Sequence, residues 1–442
     1  MTGSHHSPPA PEPALWSAPQ ATAPLSFRTQ LPGSKSLTNR ELILSALAEG
    51  PSLLRRPLFS RDTQLMVDAL RALGTQITEV PGDGHFGPDL SLTPAPLHGA
   101  AVDCGLAGTV MRFVPPVAAL ASGVTSFDGD AAARARPMRT TIEALRLLGV
   151  VVEDAGRFTL PFRVHGTGTV TGGPLAIDAS ASSQFVSGLL LAASRFEGGI
   201  DLQHVGERLP SLPHIDMTVQ AIIARHGRVT QIGDTRWRVD PGPLAGREVT
   251  IEPDLSNATP FLAAAAVVGG SVTVSDWPGT TTQVGDMFPS IVERMGARVD
   301  VSGGDLTVTG TGRLRGIDVD LTPCGELTPT VAGLAALAEG TSTLRGIAHL
   351  RGHETDRLAA LAAEITALGG EVTETADGLI ITPRPLHAGV WHSYADHRIA
   401  TTGALIGLAT PGVQVKDIQT TRKTLPEFTQ LWGRMLAGGS AQ

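Results

Sequence analysis

Two α/β domains assembled from one repeated unit are what the sequence predicts, and three observations predict them. The chain has 442 residues, more than one hydrophobic core usually serves, so two domains of about 200 residues each are expected. Six segments share one form: a polar start, a small-residue apolar run, a glycine and a β-like stretch. A second series of amphipathic helices alternates with the first.

The six segments are SLTNRELILSALAEG, AGTVMRFVPPVAALASG, SSQFVSGLLLAASRFEGG, SNATPFLAAAAVVGG, LTPTVAGLAALAEG and DHRIATTGALIGLATPG. Their closing glycines, Gly50, Gly123, Gly199, Gly270, Gly340 and Gly412, stand roughly 70 to 76 residues apart, and self-similarity at a fixed period marks a fold made from one supersecondary unit. The second series includes DTQLMVDALRALGTQITEV and ETDRLAALAAEITALGGEV. Gly74, Gly149, Gly227, Gly296 and Gly370 mark it, and LPEFTQLWGRMLAGG closes it. Each unit reads helix, strand, helix, then a pair of strands, with the glycines suiting the position after a helix where φ turns positive. Helices of the first type are apolar all round, which burial on every side requires, whereas the second type keeps a polar face.

Six units divide as three plus three, and the polar break EPDLSN separates halves of similar size. One domain is therefore expected over residues 34–252 and the other over 24–33 plus 253–442. The second is discontinuous because the alternating strand LSFRTQL, before Pro32, has no unit of its own. Residues 1–23 are rich in Pro, Ala and Ser without periodicity and are expected to be a disordered leader, with His5 and His6 an inert pair.

A formal charge of -8 and a pI near 5.9 argue against a general nucleic-acid or anionic-membrane surface. Cys104 and Cys324 are too few for a disulfide framework and too far apart for a CxxC unit, and they read as small buried residues in a reducing compartment. No apolar run reaches the roughly 18 residues of a membrane helix, and the start lacks the order of a signal peptide. A cytoplasmic protein is expected, without metal or cofactor and monomeric.

The informative pattern is what stands at the starts of the six buried helices. The first carries Lys35, Ser36, Asn39 and Arg40; the second Gly108, Thr109 and Arg112; the third Ser182, Ser183 and Gln184. The fourth offers Asp254, Ser256 and Asn257, the fifth Glu326 and Thr328, the sixth Asp396, His397 and Arg398. Helix N-termini present free N–H groups and partial positive charge. If the units are related by approximate symmetry, the starts face one cleft built for phosphate or carboxylate. Lys35, Arg40, Arg112, Arg136, Arg357, Arg398 and Lys423 lie in or near these starts on an acidic chain, so the expected ligand is polyanionic.

Other chemistries lack their patterns. PGSKS resembles the end of a phosphate loop, but Arg28 stands where GxxxxGK[ST] needs a glycine, and HGTGTVTGG reads GxGxxxG between strand-like segments, as a turn does. No His, Cys and Asp cluster has zinc spacing, and Ser182 and Ser183 have no His-plus-acid arrangement near them in sequence.

The residues LPGSKSLTNR, GLAGTVMR, ASSQFVSG, RGHETDRL, DHR and TRKTLPEF resemble, in order, the motifs of the 5-enolpyruvylshikimate-3-phosphate synthase family, over about residues 24 to 435. The resemblance implies a two-domain inside-out α/β barrel, three βαβαββ units per domain around parallel buried helices, closing on substrate. It also implies transfer of the enolpyruvyl group of phosphoenolpyruvate to the 5-hydroxyl of shikimate 3-phosphate, in chorismate biosynthesis. Lys35, Ser36, Arg40, Ser182, Ser183, Gln184, Ser211, Glu326 and His353 then match contacts to shikimate 3-phosphate. Lys35, Gly108, Arg112, Arg136, Gln184, Arg357, Arg398 and Lys423 match the phosphoenolpyruvate site. Glu326 matches the base for the 5-hydroxyl, and Lys35 and Glu354 the groups that protonate the methylene and help phosphate leave. Glu326 stands where many members have Asp, His353 where many have Lys, Leu106 for a frequent Asn and Phe113 for a frequent Pro. Gly108 keeps the small residue that leaves room for an inhibitor such as glyphosate.

Three alternatives compete. The sister transferase acting on UDP-N-acetylglucosamine usually carries a Cys on a loop of the second unit, and FDGDAAARARPM has none. A non-catalytic anion-binding protein would not need competent residues at every catalytic position. An RNA-end-processing enzyme of related fold would want a basic surface.

Overall fold

The computed structural model describes residues 14–83 and 86–438, a mixed α/β fold of short strands and helices. The six small-residue runs form helices at Lys35–Leu47, Gly108–Ala119, Gln184–Ala193, Leu255–Val268, Thr328–Ala336 and His397–Gly407. Nearly every residue beyond their first turns is buried. The alternating amphipathic series forms Arg61–Ala72, Arg139–Leu147, Leu212–Ile223, Phe288–Arg294, Arg357–Ala367 and Phe428–Leu436.

Among the described residues the strands make six sheets, five of four strands and one of three. The five share one order: a parallel pair, then two antiparallel strands. In the second unit Ala101–Asp103 lies parallel to Ser122–Asp128, which pairs antiparallel with Phe162–Thr167, and that strand pairs with Val151–Glu153. In the fourth, Leu25–Thr29 supplies the parallel partner of Gly270–Val274, while Glu248–Thr250 does the same for Ser52–Arg55 in the first. The second half thus takes a strand from ahead of the first, whereas the first closes with a strand from the end of its own stretch. Two cores result, one drawn from residues 42–244 and one from residues 18–31 and 255–435. In the second, Phe261 meets Trp432 edge-on at 5.4 Å between ring centroids.

The chain crosses between these cores at two places that lie side by side. Ser34 N–H donates to the Glu252 carbonyl (2.8 Å) and Asp254 N–H to that of Pro32 (2.9 Å), and Gly33 bridges Pro253. A Cβ on Gly33 would stand 2.3 Å from the Arg56 carbonyl oxygen, so only glycine fits where the strands meet.

The leader expectation is corrected over its second part. Leu15–Ser17 forms a strand antiparallel to Val413–Lys416 and completes the sixth sheet. Ala18 is buried so tightly that a Cβ on Gly407 would clash with its methyl at 2.3 Å. A lone three-residue strand has no stability of its own, and it orders because a sheet edge awaits it. Residues 1–13, with His5 and His6, lie outside the described residues. The turn chemistry also differs from expectation at two helix ends, where His226 (φ 64°) and Gly369 (φ 95°) take the left-handed position one residue before Gly227 and Gly370.

Candidate active site

Residues from the starts of all six buried helices line one cleft between the two cores: Lys35 and Ser36, Gly108 and Arg112, Ser183 and Gln184, Asp254 and Ser256, Glu326, and His397 and Arg398. The helix starts are set locally by their caps. The Ser34 hydroxyl accepts the Leu37 N–H, Asp254 the Asn257 N–H, and Asp396 the N–H groups of Arg398 and Ile399. The helix beginning at Gly108 has no side-chain cap, so its first N–H groups remain free for a ligand.

Ser182, Ser211, His353, Glu354, Arg136 and Arg357 line the same cleft. Lys423 reaches it through its ammonium, 2.8 Å from Glu354 Oε1. Every sequence-predicted site residue is therefore at the cleft.

On the side of the first core the cations are unpaired. Arg112 is buried, and its guanidinium has distant contacts to the carbonyls of Gly108 and Pro137, each at 3.4 Å, and to Met111 Sδ at 3.7 Å, and lies over the Phe185 ring. Arg136 reaches only the Leu106 carbonyl at 3.3 Å. The Nε of each is buried without a partner. Burial and the neighbouring Arg136 hold Arg112 well below the usual guanidinium range. Both guanidiniums converge on Gly108, whose missing Cβ would stand 3.2 Å from each NH1 and 3.1 Å from Gln184 Oε1.

Arg40 is occupied differently. It donates to Thr218 Oγ1 (2.8 Å), the Ser36 carbonyl (2.9 Å), Ser187 Oγ (3.4 Å) and the His214 carbonyl (2.9 Å). Of five guanidinium N–H groups, one remains for a ligand.

On the side of the second core every central charge is paired. Arg357 bridges Asp396 (2.8 Å) and Glu354 (2.9 Å) while 2% exposed, and Lys423 binds the other oxygen of Glu354. Burial pushes the Glu354 carboxyl up, but Lys423, Arg357 and Arg136 outweigh it and hold it well below the usual carboxylate range. Glu326 behaves alike. Burial raises it, yet Arg398, His214 and the Ser256 hydroxyl keep it ionised, with Arg398 3.5 Å away and Ser256 hydrogen-bonded to it.

Lys35 sits between the halves. Its backbone N–H donates to Asp254 (3.1 Å), and its ammonium lies 3.5 Å from Asp62. Burial lowers its affinity for a proton, Asp62 opposes that, and Lys423 adds to it, which suits an ammonium that must give a proton up.

His353 is held neutral by burial, then by Arg357. Arg357 can only donate, so Nδ1 of His353, 3.4 Å from its NH1, must accept, and Nε2 carries the hydrogen. The ring is thereby a hydrogen-bond donor without charge.

Three titratable cleft residues escape the sequence reading: Asp62, His214 and His349. All stand outside the small-residue helix starts. Asp62 and His214 open helices of the other series, where His214 follows Ser211 by three residues and so shares its face.

The chain is similar to known proteins along nearly its whole length. The family model for EPSP synthase (3-phosphoshikimate 1-carboxyvinyltransferase) matches residues 19–432. A 3-phosphoshikimate 1-carboxyvinyltransferase of Kocuria rhizophila is 57% identical over 429 residues, 96% of each chain. An EPSP synthase structure from Acinetobacter baumannii superposes with a TM-score of 0.75 at 26% identity, over 95% of this chain and 97% of that one. The enolpyruvyl transferase NikO from Streptomyces tendae reaches 0.75 at 18% identity, over 96% of this chain and 98% of its own, a likeness of fold alone.

Proposed function

The chain belongs to the EPSP synthase family, and on that premise we propose that its cleft joins phosphoenolpyruvate to the 5-hydroxyl of shikimate 3-phosphate through a tetrahedral intermediate. Enolpyruvyl transfer in the shikimate pathway is the activity that membership carries. The observation supporting the site is the pair Arg112, buried, and Arg136, half-buried, whose guanidiniums converge on Gly108 with no ion pair to a carboxylate. A doubly anionic ligand there offsets the cost of placing the two cations together.

In this reading Arg112, Arg136, Arg357, Arg398, Lys423, Gly108 and Gln184 hold phosphoenolpyruvate. Ser36, Arg40, Ser182, Ser183, Gln184, Ser211 and His353 hold shikimate 3-phosphate. Glu326, kept ionised, takes the proton of the 5-hydroxyl as its oxygen attacks C2, while Lys35 delivers a proton to the methylene. The second step removes a proton from the new methyl and expels phosphate.

Glu354 is too firmly ionised in the free cleft to donate a proton. Ligand oxygens that draw Lys423 and Arg357 away loosen that hold, so its acid role begins only with substrate bound.

The two cores act as two domains, residues 34–252 and residues 24–33 plus 253–442. Each is three βαβαββ units wrapped around buried helices in the inside-out arrangement. Among the described residues no helix is long and apolar enough to cross a membrane; the enzyme proposed here works in the cytoplasm as a monomer.

A phosphate-release assay with phosphoenolpyruvate tests the reading. Release with shikimate 3-phosphate and not with UDP-N-acetylglucosamine is expected; release with neither acceptor defeats it.

A further inference from the structure

We propose that Tyr394 is a positioning residue for the phosphoenolpyruvate side of the cleft: its hydroxyl pins to Glu364 the strained turn that sets Asp396, Arg357 and Arg398. The idea rests on the assignment of those two arginines to phosphoenolpyruvate above.

The turn joins the strand Gly389–His392 to the buried helix His397–Gly407. Asp396 N–H closes it on the Ser393 carbonyl (2.9 Å). Its two central residues, Tyr394 (φ 53°) and Ala395 (φ 54°), are the only adjacent non-glycine pair with positive φ among the described residues. Two left-handed positions in a row call for Asn or Gly. Tyr and Ala are neither, so the turn persists only while its surroundings over-determine it.

The helix Arg357–Ala367 supplies those surroundings. Arg357 and Glu364 stand seven residues apart, two turns along one face. Arg357 binds the Asp396 carboxylate (2.8 Å) at one end of the turn. The Glu364 carboxylate, 4% exposed, holds the other. It accepts the Tyr394 O–H (2.6 Å) and the His392 N–H (2.8 Å), with His392 Nδ1 3.3 Å away. Trp391 Nε1–H donates to the Ile399 carbonyl (2.8 Å), so strand and helix are fixed on either side and the turn between them is what can give.

Asp396 carries the consequence into the cleft. Besides Arg357 it accepts the N–H groups of Arg398 and Ile399, so its place sets both cation-bearing residues. Tyr394 is 43% exposed and is not among the residues lining the cleft, so it acts on substrate through Asp396.

The test uses the full-length enzyme, with kinetics beside thermal melts. Tyr394→Phe removes one oxygen, and KM for phosphoenolpyruvate should rise roughly 5- to 20-fold while KM for shikimate 3-phosphate stays within about twofold. Glycine takes positive φ freely. Ala395→Gly alone should therefore leave both constants as they are and, added to Tyr394→Phe, return the first to within about threefold of its starting value. A folded Tyr394→Phe with unchanged constants, an equal rise in both, or no rescue by Ala395→Gly overturns the proposal. The chain has a single tyrosine, so an alkaline absorbance titration of the unaltered enzyme reads this hydroxyl alone. Burial and the bond to Glu364 raise it from 10 to about 12, and ionisation near 10 in protein that is still folded rejects the bond and the role built on it. If Arg398→Gln leaves KM for phosphoenolpyruvate unchanged, the assignment of that ligand to this wall fails, and the positioning role with it. A raised KM in Arg398→Gln beside an unaltered Tyr394→Phe rejects the positioning role only.

Discussion

The two walls of the cleft carry similar cations in opposite electrical states. On the first wall Arg112 and Arg136 have no carboxylate partner and each keeps a buried Nε without a hydrogen bond, and burial depresses the affinity of Arg112 for its proton. On the second, Arg357, Lys423 and Arg398 are each tied to Glu354, Asp396 or Glu326. An unpaired guanidinium can gain from an anion at once, whereas a paired one must first exchange partners. In the function proposed above, the first wall captures substrate and the second redistributes charge and protons once substrate has arrived.

Removing the group between the walls should have the largest effect. Lys35→Ala should lower turnover by about a thousandfold or more, a barrier increase of about 4 kcal/mol, while phosphate-release assays run beside thermal melts show an intact fold. Normal turnover would leave the walls without a donor between them.

Next in size is the contrast in stability. Arg357→Met leaves Asp396 without its buried cation and Glu354 with Lys423 alone, and should cost about 3–5 kcal/mol, read from denaturant midpoints. Arg112→Met removes an unpaired buried charge, so the free protein should be no less stable, while affinity for phosphoenolpyruvate drops at least about tenfold. Equal losses of stability in the two variants would erase the distinction.

Acid should act on the second wall. The Glu354 carboxyl is held below its unfolded value of 4.5, so its stabilisation is full above that value and is lost as pH falls through the lower, folded one. Glu354→Gln should flatten this part of the acid-denaturation curve, and an unchanged curve would mean the pairing contributes nothing.

The smallest effect belongs to His349, which burial, then Arg357 and Arg208, push down to about 4 from 6.5. A folded value below the unfolded one means the unfolded chain binds more protons between them, so stability rises with pH across that interval. Between pH 5 and 6.5 the gain should be about 1 kcal/mol after allowance for solvent access, and His349→Asn should remove it.

Much of this was legible in residue order because helix starts are local. The polar groups at Lys35, Gly108, Ser183, Asp254, Glu326 and Asp396 could be read from where each apolar run begins, and the repeat implied that they meet. Pairing was not legible. Nothing in the sequence says that Lys423 finds Glu354, 69 residues away, or that the five donors of Arg40 are mostly spent on protein. His214 was missed because its helix repeats the amphipathic pattern, whose buried face is read as packing, and His349 because it sits in a short 3-10 turn, Ala348–Gly352, outside both helix series. The strand Leu15–Ser17 is too short to alternate and is defined by the edge that it covers.

The paired crossing at Gly33 and Pro253 has one more consequence. A single flexible tether would let its two bodies swivel freely, and the walls could then meet in many wrong alignments. Two segments hydrogen-bonded side by side hold the bodies at a pair of points rather than one, which restricts how one wall can turn against the other.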